Sequence, residues 1–225
     1  MTVLAPNGRR ASLVVHTMRQ GDSAFLDVLG SAQCPRHRHP ATRPPGHPAT
    51  RCDHERMTTA ALVDLLTRYG STGDFAGLRP LGPYPVAGRG EAEDSGRVAD
   101  ALPWPQWFRY GCMSVDVCRC GIVNTVSVRT WYDDVVLPVG GPDEYGSFPG
   151  PPGFRELSDA FAAAGVAWER VPEAHSLPQF TMRTTVADLP DVTVDFVFVT
   201  DEDPDRPTLY SAHAHEYTHL CPDGP

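Results

Sequence analysis

The chain has 225 residues and a net charge of -9, with 28 acids against 19 basic residues, every one of them arginine. Such an acid excess excludes a general binder of nucleic-acid backbone, which needs surplus Arg and Lys. An apolar share of 41% excludes wholesale disorder, and no run approaches the ~18 apolar residues of a membrane span.

The charge divides the chain near residue 57. Before it stand 8 arginines against 4 acids; after it, 11 against 24. The stretch 31–56 is rich in Arg, His and Pro (Pro35, Pro40, Pro44, Pro45, Pro48) and poor in core-forming residues. Proline obstructs helix and central strand alike, so this stretch is expected to be disordered. Residues 1–56 are therefore read as an extension without a fold. Met57 is the expected natural start, and 57–225 a single domain. Within the extension, Cys34, His37, His47 and Cys52 mimic finger spacing but lack a finger's apolar residues, so they are read as composition. Six cysteines without a secretory signal point to a reducing, cytoplasmic setting rather than a disulfide framework.

From Thr58 onward the elements become legible. Leu62, Leu65, Leu66 and Tyr69 recur at helical spacing behind a Thr58 or Thr59 cap, with Gly70 as the expected stop. Residues 71–103 read as turns, with an acidic segment at 88–97. Strand signals begin at Trp107 and Tyr110. Met113, Val115 and Val117 then alternate with polar residues, as do Ile122, Val126 and Val128, which predicts a hairpin turning at about Cys120-Gly121. The Gly/Pro-rich stretch 137–153 reads as loop. A helix is predicted from Phe154 to Ala164, stopped by Gly165, and Trp168 falls in a short extended piece. Phe180–Val186 alternates, and Val192–Val199 is apolar on nearly both faces, the mark of a central strand. An acidic turn, 201–205, leads to a last segment, 209–220, which fits strand or helix. The expected class is α+β: a mainly antiparallel sheet of about five strands packed by two helices, behind a disordered N-terminal extension.

His215-Glu216-Tyr217-Thr218-His219 fits H-E-x-x-H, in which histidines one helical turn apart bind zinc and the glutamate activates water. On that reading His215 and His219 are ligands and Glu216 the base of a zinc-dependent hydrolase. Read as a strand, the segment instead has a histidine face. A metal site without catalysis is a separate reading. Cys118-x-Cys120 and His219-x-Cys221 each put two potential ligands on one side of a strand, and neighbouring strands would bring the four together. Asp201, Asp203 and Asp205 begin like a calcium loop, but Arg206 stands where Gly is needed, so an acidic turn is expected. The aromatic patch of Trp104, Trp107 and Tyr110 is of the composition that anchors partners.

From Leu81-Gly82-Pro83 through Arg109-Tyr110-Gly111 and the strands beyond, the chain resembles small uncharacterised actinobacterial α+β proteins, some of them similar to immunity proteins. The resemblance implies a non-enzymatic module that binds a protein partner. The acid excess after residue 57 makes that partner a basic protein such as a toxin, met through Trp104, Trp107, Tyr110, Asp133, Asp134, Asp201 and Asp203. The first expectation is therefore a binding protein without cofactor, nucleic-acid or membrane partner. The alternative is the zinc hydrolase, with Glu216 as base and ligands drawn from His215, His219, Cys118, Cys120 and Cys221.

Overall fold

The computed structural model describes residues 2–4, 10–12, 55–85, 106–141, 144–171, 178–200, 203–216 and 219. In chain order the elements are β1 (Thr2–Leu4), β2 (Arg10–Ser12), β3 (Glu55–Arg56), α1 (Thr59–Thr72), β4 (Gln106–Tyr110), β5 (Met113–Val117), β6 (Val123–Arg129), β7 (Asp134–Gly141), β8 (Glu144–Pro149), α2 (Phe154–Ala164), β9 (Trp168–Val171), β10 (Gln179–Val186), β11 (Leu189–Val199) and β12 (Thr208–Glu216). The chain forms two units, residues 1–43 and 44–225. In the first, β1 and β2 pair antiparallel. The expected disorder of 31–56 is corrected at its end, where Glu55–Arg56 form β3 against β8; the rest of that stretch and the acidic segment 88–97 fall outside the described residues.

The second unit is built on a seven-stranded sheet, ordered β4-β5-β6-β12-β11-β10-β9 and antiparallel throughout. The expected count of about five strands is corrected upward, within the same α+β class. A second correction concerns 137–153. Instead of a loop it contributes most of the β7–β8 hairpin, which with β3 makes a three-stranded sheet. Its Gly and Pro content hid the strands, yet Val135, Leu137 and Phe148 are fully buried or nearly so.

Helix α1 starts where Thr58 accepts a hydrogen bond from Ala61 N–H, and buries Leu62, Leu66 and Tyr69. It runs past the expected stop: Gly73, in the left-handed region at φ 65°, is the C-cap. Gly70 serves close packing instead, since a Cβ there would sit 2.7 Å from the Phe161 ring and 3.1 Å from that of Phe196. Helix α2 matches its predicted span. The Glu156 carboxylate accepts from Gly153 N–H at its start, and Gly165 ends it at φ 70°.

Strand pairing fixes which residues share a face, because side chains alternate along each strand. One face carries Tyr110, Met113, Val115, Val126, Val128, Ala212, Ala214, Val194, Phe196 and Met182, and both helices cover it. Phe154 of α2 adds edge-on contacts to Phe180 and Phe198. Tyr69 reaches from α1 into the β6–β12 pair, donating to Val126 C=O at 2.6 Å and accepting from Ala214 N–H at 2.6 Å.

The opposite face has a different chemistry. Register partners run Arg109–Ser114–Ser127–His213–Asp195–Arg183–Glu169, one polar residue from every strand of the sheet. A second row, Asp116–Thr125–His215–Thr193, lies beside it. Among the described residues, no helix is long and apolar enough to cross a membrane.

Candidate metal centre

The last segment settles as strand β12, and its place in the sheet decides the histidine chemistry. Its neighbours are β6 and β11, so the end of β12 runs out beside the β5–β6 turn. On a strand, consecutive residues point to opposite faces. His215 joins the polar face, 7% exposed, with Nε2 3.2 Å from Thr193 Oγ1 and 3.8 Å from Asp195 Oδ2. Glu216 turns to the other face, in register with Val192. The helical H-E-x-x-H geometry expected of a hydrolase is therefore not formed: His215 and Glu216 do not address one metal. Both Glu216 oxygens instead accept from His219 N–H, at 2.6 and 2.8 Å, and so hold His219 beside the end of β12.

His219 itself lies beside the cysteines. Cys118–Gly121 closes the β5–β6 hairpin, with Gly121 N–H donating to Cys118 C=O and Cys118 N–H to Ile122 C=O. Gly121 takes φ 78°, which a residue with a side chain adopts only with strain. The curl puts both sulfurs on one side, 2.8 Å apart. His219 Nε2 lies 3.4 Å from Cys118 Sγ and 3.1 Å from Cys120 Sγ. These are three ligands of two types, from positions about a hundred residues apart, with donor atoms all within 4.8 Å of one another. Cys118 is buried and Cys120 exposed, both as thiols. Cys112, by contrast, is disulfide-bonded, which corrects the expectation that the cysteines all stay reduced.

The donor set suits zinc: two thiols and an imidazole are the groups of structural sites. Bonds of about 2.3 Å to sulfur and about 2.0 Å to nitrogen imply tetrahedral edges of roughly 3.5–3.8 Å. The observed spacings fall within about 1 Å of these, a side-chain adjustment. Cys221, the fourth ligand in the sequence pattern, lies outside the described residues, as do Tyr217 and Thr218.

The polar face nearby is largely self-satisfied. Arg183 makes a two-pronged ion pair with Asp195, at 2.6 and 2.7 Å. The ring of His213 lies between Ser127 Oγ (3.0 Å) and Ser211 Oγ (2.7 Å). Asp116 and Ser114 are exceptions. Burial pushes the Asp116 carboxyl up to about 6, against a lowering hydrogen bond to Asn124. Its Oδ1 and the Ser114 Oγ are buried with no hydrogen-bond partner among the described residues.

The expected partner-binding residues scatter. Tyr110 is 2% exposed, its hydroxyl 2.6 Å from that of Tyr84, and it belongs to the core rather than to a contact surface. Trp107 has a backbone place in β4; Trp104 and Asp201 lie outside the described residues. Asp133, Asp134 and Asp203 are exposed, and Asp205 N–H with Asp203 Oδ1 forms the anticipated acidic turn. Sequence reasoning missed Trp131, half-buried and stacked on Tyr210 with ring centres 4.3 Å apart. Of the polar rows it read only the histidine face of the last strand, although the alternation of Asp195 with apolar neighbours carries the signal for the next one.

Comparison with family models, curated proteins and solved structures finds no match to this chain.

Proposed function

We propose that residues 57–225 form a zinc-binding domain in which the metal is structural rather than hydrolytic. Cys118, Cys120 and His219 are its ligands, and Cys221, by its spacing, is the fourth. The observation that carries this reading is the convergence of two thiols and an imidazole from the β5–β6 turn and the end of β12. A structural site fills its coordination sphere with protein atoms, whereas a hydrolytic one keeps a position open for water beside a free base. Here the residue that would be the base, Glu216, holds the backbone N–H of His219. Zinc at this corner joins the segment after β12 to the hairpin turn.

Elemental analysis of the full chain, purified from zinc-replete growth, tests this. The expected result is about one zinc per chain, lost in His219→Ala and in the Cys118→Ser/Cys120→Ser pair. It is retained in His215→Ala, which separates this site from the hydrolase reading. Purified protein without stoichiometric zinc, unable to take it up from a competing chelator, sinks the proposal.

A second reading concerns what such a domain does, and it carries forward the expectation of a basic protein partner. At the sheet end remote from the metal corner, exposed Asp133, Asp134, Asp203 and Asp205 accompany the half-buried Trp131–Tyr210 stack. Carboxylates beside aromatic faces suit arginine and lysine side chains. In this reading the protein acts by binding, in the manner of an immunity protein.

A further inference from the structure

The cysteine turn has a reactivity that metal binding alone does not use. We propose that Cys118 and Cys120 form a site of reversible oxidation by peroxides, closing into a Cys118–Cys120 disulfide that expels the metal. The proposal rests on the zinc reading for its consequence and on the turn geometry for its chemistry.

Two cysteines separated by one residue are ordinarily poor disulfide partners. In an extended strand, residues two apart have Cα atoms about 6.6 Å apart, near the upper limit for a bridge. This pair is not on extended chain. The 118–121 turn, held by the Gly121 N–H to Cys118 C=O bond and by the positive φ of Gly121, curls both side chains to one side. The thiols face each other at a non-bonded 2.8 Å. They also differ in access: Cys120 is exposed, whereas Cys118 is 5% exposed. That asymmetry orders the steps. A peroxide reaches Cys120 first, and Cys118 is in place to resolve the product.

The Cys120 thiolate attacks one oxygen of hydrogen peroxide, breaking the O–O bond and giving a sulfenic acid and hydroxide. The Cys118 thiolate then attacks the Cys120 sulfur, forming the S–S bond and expelling a second hydroxide. Two protons from solvent turn these into two waters. The thiolates lose two electrons and the peroxide gains two. A disulfide sulfur is a poor zinc ligand, because the thiolate is the metal-binding form. Oxidation therefore removes two ligands of the proposed four. His219 then loses its tie to the cysteine turn through the metal, while its backbone N–H stays held by Glu216. Thiol reductant with zinc restores the site.

The test uses the full chain, zinc-loaded, treated with a few equivalents of hydrogen peroxide. A chromogenic chelator reads zinc release, thiol titration reads the sulfurs, and peptide mass mapping reads the bond. Expected is release of the whole zinc complement with loss of two thiols per chain, a Cys118–Cys120 link, and reversal by dithiothreitol. Cys221→Ser should form the same link, which separates this pairing from one that recruits the later cysteine. Zinc retained with both thiols intact, or a link that joins Cys120 elsewhere, overturns the proposal while leaving the metal reading standing. A chain that holds no zinc yet closes the Cys118–Cys120 bond supports the oxidation site and removes the metal reading.

Discussion

The hydroxyl of Tyr69 is fully buried and lies between a backbone donor and a backbone acceptor of the two strands at the middle of the sheet, Ala214 N–H and Val126 C=O. Burial pushes its phenol well above the ordinary range, so it stays protonated and able to donate at every working pH. Tyr69→Phe preserves the ring contacts to Phe75 and Phe196 but leaves both backbone groups without this partner. Such groups cost about 1–3 kcal/mol each when stranded, and partial relaxation of the strands toward one another recovers some of it. The expected loss is about 2 kcal/mol in urea unfolding monitored by far-UV circular dichroism. A change below about 0.5 kcal/mol would show that the strands close directly once the hydroxyl is gone. The sequence marks Tyr69 only as a helix-face aromatic, because a bond to residues 57 and 145 positions away leaves no local trace.

Among the elements, legibility follows the strength of local periodicity. Helix α2 is readable to the residue: Phe154, Leu157 and Phe161 recur at helical spacing, between a start and a stop that each carry glycine. Helix α1 is readable except at its end, where two glycines compete. Gly70 looks like a cap in one dimension and is a packing contact in three. An alanine there gains about 1 kcal/mol of helix preference but thrusts a methyl group against Phe161, where overpacking costs typically about 1–3 kcal/mol. Gly70→Ala is therefore expected to lower stability by about 1 kcal/mol in thermal unfolding; a stabilised variant would mean the Phe161 ring swings aside freely. The β7–β8 hairpin is not readable, because Gly140, Gly141 and Gly146 with Pro138 and Pro149 speak locally for loop, while the burial of Val135, Leu137 and Phe148 speaks for strand only after folding. The metal corner is half readable. The paired spacings name the residues, but which strands are neighbours is a matter of topology.

At the scale of the molecule, the acid excess after residue 57 gains a location without gaining a partner. Exposed carboxylates at 133, 134, 203 and 205 gather at the sheet end away from the cysteine turn. Each exposed ion pair contributes roughly 0.5 kcal/mol, and reversal adds repulsion to the lost attraction, so reversing two acids should weaken binding of a polyarginine peptide at least about fivefold at low salt. Asp133→Arg/Asp134→Arg tested by calorimetry against that peptide checks the basic-partner reading; unchanged affinity removes this end of the sheet from it. The order of the strands has a separate consequence, for synthesis. The middle strand, β12, follows all its sheet-mates in the chain, so the ribosome delivers two separate three-stranded ribbons, β4–β5–β6 and β9–β10–β11, before the piece that unites them. Until residues 208–216 emerge, β6 and β11 each present an open edge, the arrangement most prone to pairing with the wrong chain. The nascent protein is thus most vulnerable to aggregation in the interval before residues 208–216 emerge, and the cysteine–histidine corner forms as that window closes.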